Sequence, residues 1–349
     1  MKGEIAVEEA SPTPESQQAT VIPSRPLVFS ACRRVIGASF REFSLKPEVV
    51  AESLIAGLAF LGVKKEDRVF SPWVDLSVEA ADFGQKMIYP EDSTAHPDYS
   101  DPLVKDVSDY RKLERVDLKA SQRMRNMVET VRLVVESEGA GIGGFCLGPL
   151  GVLSMMRGAE HLFRDCVLHP REVKAALETI TETLIEYSVA QCDAGAIGVC
   201  LDTLFASWNG LSREQWEDIE GPFAKEIADA VRARGGVIFI HNCGDGPYFD
   251  SQIRSMEPSV ISFAQLPDDC PNAAELKTRY GNQVTLMGYI DTTLLTYGTP
   301  YQVMQACKIQ IDELGSSPMG YVLAPGCEFP PDAPFENALA IMRAAEIYG

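Results

Sequence analysis

The feature that most constrains this chain is an alternation. Eight short runs rich in Val, Ile and Phe recur at about Leu27–Ala31, Arg68–Trp73, Gly141–Cys146, Ile197–Leu201, Val237–His241, Val260–Phe263, Val284–Tyr289 and Tyr321–Ala324. Amphipathic stretches separate them. Near-continuous apolar runs suit parallel strands buried on both faces. Between them, Val173, Leu177, Ile180, Leu184 and Tyr187 fall at alternating steps of four and three, the period of one buried helix face. Ser212 with Gln215 reads as a capping box opening a helix that runs to about Arg234, and Thr299-Pro300-Tyr301-Gln302 as another. A last helix is expected from about Pro334.

Eight strand–helix units predict an α/β chain folded as a (β/α)8 TIM barrel, with a doubly wound open sheet as the competing arrangement. The stretch Met87 to Val135 is too long for one connection. It predicts extra helices after strand 2 and an irregular loop over Tyr89–Pro102. Residues 1–25, with Pro12, Pro14, Pro23, Gln17 and Gln18, read as a flexible polar N-terminal tail; residues 26–349 then form one domain.

Charge narrows the partners. The 31 Lys and Arg stand against 50 Asp and Glu, a net of −19. A surface this acidic repels phosphate backbones and anionic lipid, so nucleic acid and membrane are not expected partners. No run approaches the ~18 apolar residues of a membrane span. Residues 1–25 lack the apolar core of a secretory signal. Nine cysteines in such a chain read as cytoplasmic thiols or metal ligands rather than a disulfide framework.

Chemistry concentrates at two strand ends. Ile240-His241-Asn242-Cys243-Gly244-Asp245-Gly246 closes the fifth run, and Ala324-Pro325-Gly326-Cys327-Glu328 closes the eighth. Residues two apart in extended chain point the same way, so His241 and Cys243 can face one point. Cys327 follows Cys243 by 84 residues, which is three strand–helix units of about 28. One imidazole and two thiolates suit zinc, and three protein ligands leave a fourth position open. On spacing alone, the same residues suit two small buried cysteines and a hydrogen-bonded core histidine.

Other positions follow from the barrel. Asp202 ends the fourth strand and Asp291 the seventh, both toward the mouth where barrel active sites lie. Asp202 is a candidate catalytic carboxylate, and Tyr289, Asp291 and Trp208 are candidate substrate contacts. Gly139-Ala140-Gly141-Ile142-Gly143-Gly144 satisfies G-x-G-x-x-G, but a helical stretch precedes it and a strand follows, the reverse of a dinucleotide site.

These motifs resemble the uroporphyrinogen decarboxylase superfamily, and within it the zinc-dependent corrinoid methyltransferases. His241-Asn242-Cys243-Gly244, Gly288-Tyr289-Ile290-Asp291, Tyr297-Gly298-Thr299-Pro300 and Ala324-Pro325-Gly326-Cys327-Glu328 carry the likeness, with Asp75, Val78-Glu79-Ala80 and Gly148-Pro149-Leu150 in support. The resemblance implies a barrel with Zn2+ held by His241, Cys243 and Cys327. It implies methyl transfer between a small donor, such as an aromatic methyl ether, and the cobalt of a corrinoid on a separate protein. Transfer from a methylcobamide to a thiol such as coenzyme M is the alternative, and a metal-free decarboxylase a further one. Asp75 sits where the decarboxylases keep their catalytic aspartate, and Glu79, one turn on, is a candidate substrate contact. The decarboxylases' R-x-x-x-R carboxylate clamp is replaced here by adjacent Arg33 and Arg34, which places the chain with the methyltransferases.

Overall fold

The computed structural model describes residues 22–139 and 141–349. Most of the expected N-terminal tail lies outside those residues. A short antiparallel hairpin joins β1 (Met87–Ile88) to β2 (His96–Pro97). The main sheet has six parallel strands in sequence order: β3 (Gly144–Leu147), β4 (Gly198–Asp202), β5 (Val237–Asn242), β6 (Val260–Phe263), β7 (Thr285–Ile290) and β8 (Tyr321–Pro325). Each connection carries helices, as parallel neighbours require.

The first two expected strands are each reduced to one bridge. Ser24 pairs with Leu323 on the β8 edge, and Phe70 with Ile142 on the β3 edge, both parallel. Proline explains the brevity, because it gives the ladder no N–H. Pro23 and Pro26 flank the pair in which Arg25 N–H donates to the Leu323 carbonyl and Leu323 N–H to that of Pro23. Pro72 follows the bridge at Phe70. The expected strand over Leu27–Ala31 is therefore corrected: pairing falls at Ser24, and Ser30–Cys32 is a 3-10 turn. Ile22 is also buried. The Phe29 and Trp73 rings, 6.1 Å apart, face each other across the seam between the two edges. Among the described residues no backbone hydrogen bond joins those edges.

The helices follow their signals. Pro170–Asp193 is one helix, and its five periodic apolar residues are all buried. Both capping boxes form, at Ser212 and Thr299. The helix after Ser212 breaks at Glu220 into Arg213–Ile219 and Gly221–Ala233, where Gly221-Pro222 begins the second piece. The long connection after Phe70 holds the hairpin, a 3-10 helix over Val107–Lys112 and the helix Arg123–Glu138. Gly139 caps that helix at φ +94°, so the glycine run serves a helix end.

Burial alternates along the strands and defines the site's setting. Val199, Leu201, Ile238, Ile240, Ile261 and Leu286 are buried. Their alternates Cys200, Phe239, His241, Met287 and Val322 keep partial exposure. The sheet thus keeps one sealed face and one face with solvent access, and the second carries His241.

Candidate metal centre

Strand register assembles the first half of the site. Asp202, His241 and Ser262 are direct partners across β4, β5 and β6. Paired residues share a face, so the three side chains stand in a row. Ser262 Oγ lies 3.1 Å from His241 Nδ1, which leaves Nε2 as the ring's free nitrogen. Past the strand end, buried Asn242 fixes the turn that presents Cys243. Its amide donates to the Thr203 and Ala206 carbonyls at 3.1 Å each, and its oxygen accepts from Gly244 N–H at 2.9 Å. A Cβ on Gly244 would meet Ser207 Oγ at 2.3 Å. Gly246 takes φ +55° beneath the Trp208 ring. The glycines after Cys243 let this loop lie against the loop that follows β4.

Cys327 comes from the far edge. Gly326 N–H donates to the Ile290 carbonyl at 2.8 Å, and a Cβ there would meet Ala264 Cα at 2.8 Å. Glu328 accepts from Ser30 N–H at 2.7 Å. Cys327 is therefore set between the end of β7 and the 3-10 turn Ser30–Cys32. The ligand atoms of His241, Cys243 and Cys327 all lie within 4.8 Å of one another. A tetrahedral zinc with bonds of about 2.3 Å to sulfur and 2.0 Å to nitrogen needs edges of about 3.5–3.8 Å, which this separation accommodates with small side-chain adjustment.

The electrostatics point the same way. The hydrogen bond from Cys243 and the nearby imidazole hold the Cys327 thiol well below its ordinary range, while the same bond and burial push Cys243 up. Burial opposes charge on His241, yet the Cys327 sulfur and Asp202 outweigh it and raise its pKa. Burial pushes the Asp202 carboxyl up to about 6, with His241 opposing the rise and Cys327 adding to it. Asp202 Oδ1 is buried without a hydrogen-bond partner. Two sulfurs, an imidazole and an unsatisfied carboxylate oxygen form a cluster that a cation would complete.

The other expected residues separate. Asp75 does not present a free carboxylate: Arg123 holds both its oxygens, at 3.1 and 2.6 Å, and Ser77 N–H and Oγ donate to Oδ1. It forms a buried internal ion pair with Arg123. Glu79 is buried and accepts from Leu147 N–H at 3.0 Å; burial pushes it up to about 7. Asp291 caps the helix Thr292–Tyr297 through Thr293 N–H at 2.7 Å. Tyr289 is corrected as a substrate contact. Gly288 at φ +136° interrupts the strand's alternation, and Tyr289 stacks on Phe263 at 5.3 Å while its hydroxyl donates to Glu313. Phe263 itself packs on Phe249 of the helix Phe249–Met256, so this ring joins the sheet-to-helix layer. Trp208 is exposed over the Cys243 loop, beside the site. Arg33 and Arg34 tie the short helix Arg33–Ile36 to the loop before the final helix, through Asp332 and the Ala333 carbonyl. Sequence reasoning missed Ser262 and Arg123; the only signal for Ser262 was a polar residue inside the apolar run Val260–Phe263.

Fold and site together define an α/β barrel of parallel strands with a histidine–dicysteine set at the carboxyl ends of β5 and β8. The family model for uroporphyrinogen decarboxylase (URO-D) matches residues 21–348, and the chain belongs to that family. A methylcobamide:CoM methyltransferase MtbA of Methanosarcina acetivorans is 25% identical over 317 residues, 89% of this chain and 88% of its own length. A uroporphyrinogen decarboxylase of Anaeromyxobacter dehalogenans is 27% identical over 212 residues, 59% of this chain and 58% of its own. The solved structure of a methyltransferase from Methanosarcina mazei shares the fold, with a TM-score of 0.78 at 20% identity over 93% of both chains. No helix among the described residues is long and apolar enough to cross a membrane.

Proposed function

We propose that this protein is a zinc-dependent methyltransferase that moves a methyl group between a small substrate and the cobalt of a corrinoid carried by a separate protein. The convergence of His241, Cys243 and Cys327 within 4.8 Å carries the reading. These three would hold Zn2+ and leave one position for substrate. The bound ion would act as a Lewis acid that favours a deprotonated substrate at neutral pH. Ser262 orients the imidazole, and Asn242 and Gly244 fix the Cys243 turn.

A thiol acceptor is favoured over an aromatic methyl ether donor. Two thiolate ligands weaken Lewis acidity, which suits preserving a nucleophilic sulfur more than expelling an alkoxide. The name of the Methanosarcina acetivorans relative supports the same direction. In that direction the thiol sulfur forms a bond to the methyl carbon as the methyl–cobalt bond breaks, its electron pair stays on cobalt, and the thiol proton leaves to solvent.

Decarboxylation of a polycarboxylate is disfavoured by one observation. Arg33 and Arg34 are engaged with Asp332 and the Ala333 carbonyl and form no carboxylate clamp.

The test is metal analysis of purified protein, then zinc reconstitution and assay with methylcobalamin and small thiols. One zinc per chain, lost in Cys327→Ser, and thiol methylation that follows the metal are expected. Protein that takes up no zinc would overturn the reading. Methyl transfer from aryl ethers to Co(I), with none to thiols, would reverse its direction.

A further inference from the structure

One helix face behind the centre carries a residue that packing does not explain. Phe249, Gln252 and Met256 lie on one side of the helix Phe249–Met256, and all three are sealed from solvent. Phenylalanine and methionine suit that face. Glutamine does not, because a buried amide is costly unless it is hydrogen-bonded, and a leucine there would avoid the cost. Among the described residues the Gln252 side chain has one partner: Nε2 donates to Thr203 Oγ1 at 2.7 Å, and Oε1 has none.

Thr203 is where the backbone of the centre is gathered. It directly follows β4 and is buried. Its N–H donates to the His241 carbonyl at 3.3 Å. Its own carbonyl accepts from Asn242 Nδ2 at 3.1 Å and from Ala206 N–H at 3.0 Å. The residue that bears the first ligand and the residue that shapes the turn of the second are thus both bonded to Thr203. The returning chain closes on the same turn: Tyr248 N–H donates to the Ala206 carbonyl at 2.8 Å, and Gln252 follows one helical turn later.

Resting on the metal-centred reading above, we propose that Gln252 is a positioning residue for that centre. Its bond to the Thr203 hydroxyl locks the turn after β4. That turn holds the His241 carbonyl and the Asn242 amide at a fixed separation, so the spacing of the His241 and Cys243 ligand atoms is set from the helix behind the loop. Gln252 touches neither metal nor substrate; it acts through Thr203. A side chain that fills the same space without bonding Thr203 keeps the fold and loosens the ligand pair.

The experiment compares the full-length wild type with Gln252→Leu, Thr203→Val and the double variant. Zinc affinity is read by chelator competition, the ligand geometry from the absorption bands of the Co2+-loaded protein, and stability from urea unfolding of the metal-free protein. Each single variant should bind zinc about tenfold more weakly and shift the cobalt bands. The double variant should be no weaker than the weaker single one, because both substitutions remove the same bond. A purely structural role would lower the urea midpoint and leave affinity and spectrum as in the wild type; that result overturns the proposal. Losses that multiply in the double variant also overturn it, since the two residues would then act separately. If Gln252→Leu does not fold, Thr203→Val decides alone, and unchanged affinity and spectrum there overturn the proposal. Wild-type protein that takes up neither Co2+ nor zinc would instead overturn the metal-centred reading, and this inference with it.

Discussion

At the scale of single residues, the site depends on what holds the ligands as much as on the ligands. Ser262 is buried and bonds only one nitrogen of His241. Removing such a partner typically weakens metal binding about 10–100-fold. Ser262→Ala should therefore bind zinc more weakly by that factor in a chelator competition, with unfolding nearly unchanged; unchanged affinity would count against the orienting role. Glu79 gives a prediction in pH. Burial lifts it from its ordinary 4.5 to about 7, so the folded chain keeps a proton that the unfolded chain releases. Its stabilising contribution is full below about pH 4.5 and is lost as pH rises through about 7. Glu79→Gln keeps an acceptor for Leu147 N–H and removes the titration. Its urea midpoint should fall less steeply between those values than that of the wild type. An identical slope would show that Glu79 does not titrate there.

At the scale of elements, the periodic signals were legible and the interrupted ones were not. The step pattern from Val173 to Tyr187 identified a helix face because burial enforces that period, and every residue in it is buried. Leu177→Ala should cost about 2–5 kcal/mol in denaturant unfolding, since a fully buried leucine leaves a cavity. A loss below about 1 kcal/mol would mean that the helix face repacks freely. The first two strands misled for a local reason. In the run Leu27–Phe29, Val28 is buried and Phe29 packs against the core, while prolines on either side of Ser24 and after Phe70 restrict each ladder to one pair. Apolarity reports burial, and hydrogen bonding had to be read from proline. Tyr289 misled similarly: two-residue alternation fails where Gly288 turns the backbone.

At the scale of the whole molecule, sequential strand order brings distant segments to one rim. Cys243 and Cys327 are 84 residues apart in sequence and meet because β5 to β8 lie side by side in one curved parallel sheet. That convergence was legible from spacing once a barrel was assumed, whereas the Asp202–His241–Ser262 row needed the register and the Arg123–Asp75 pair needed tertiary contact. The most direct measurement is zinc K-edge X-ray absorption on the purified, reconstituted protein with and without added thiol. The account predicts one nitrogen and two sulfurs at about 2.0 and 2.3 Å with one exchangeable light atom, which a third sulfur replaces when thiol is added. A zinc shell of nitrogen and oxygen alone, or one unaltered by thiol, would contradict it.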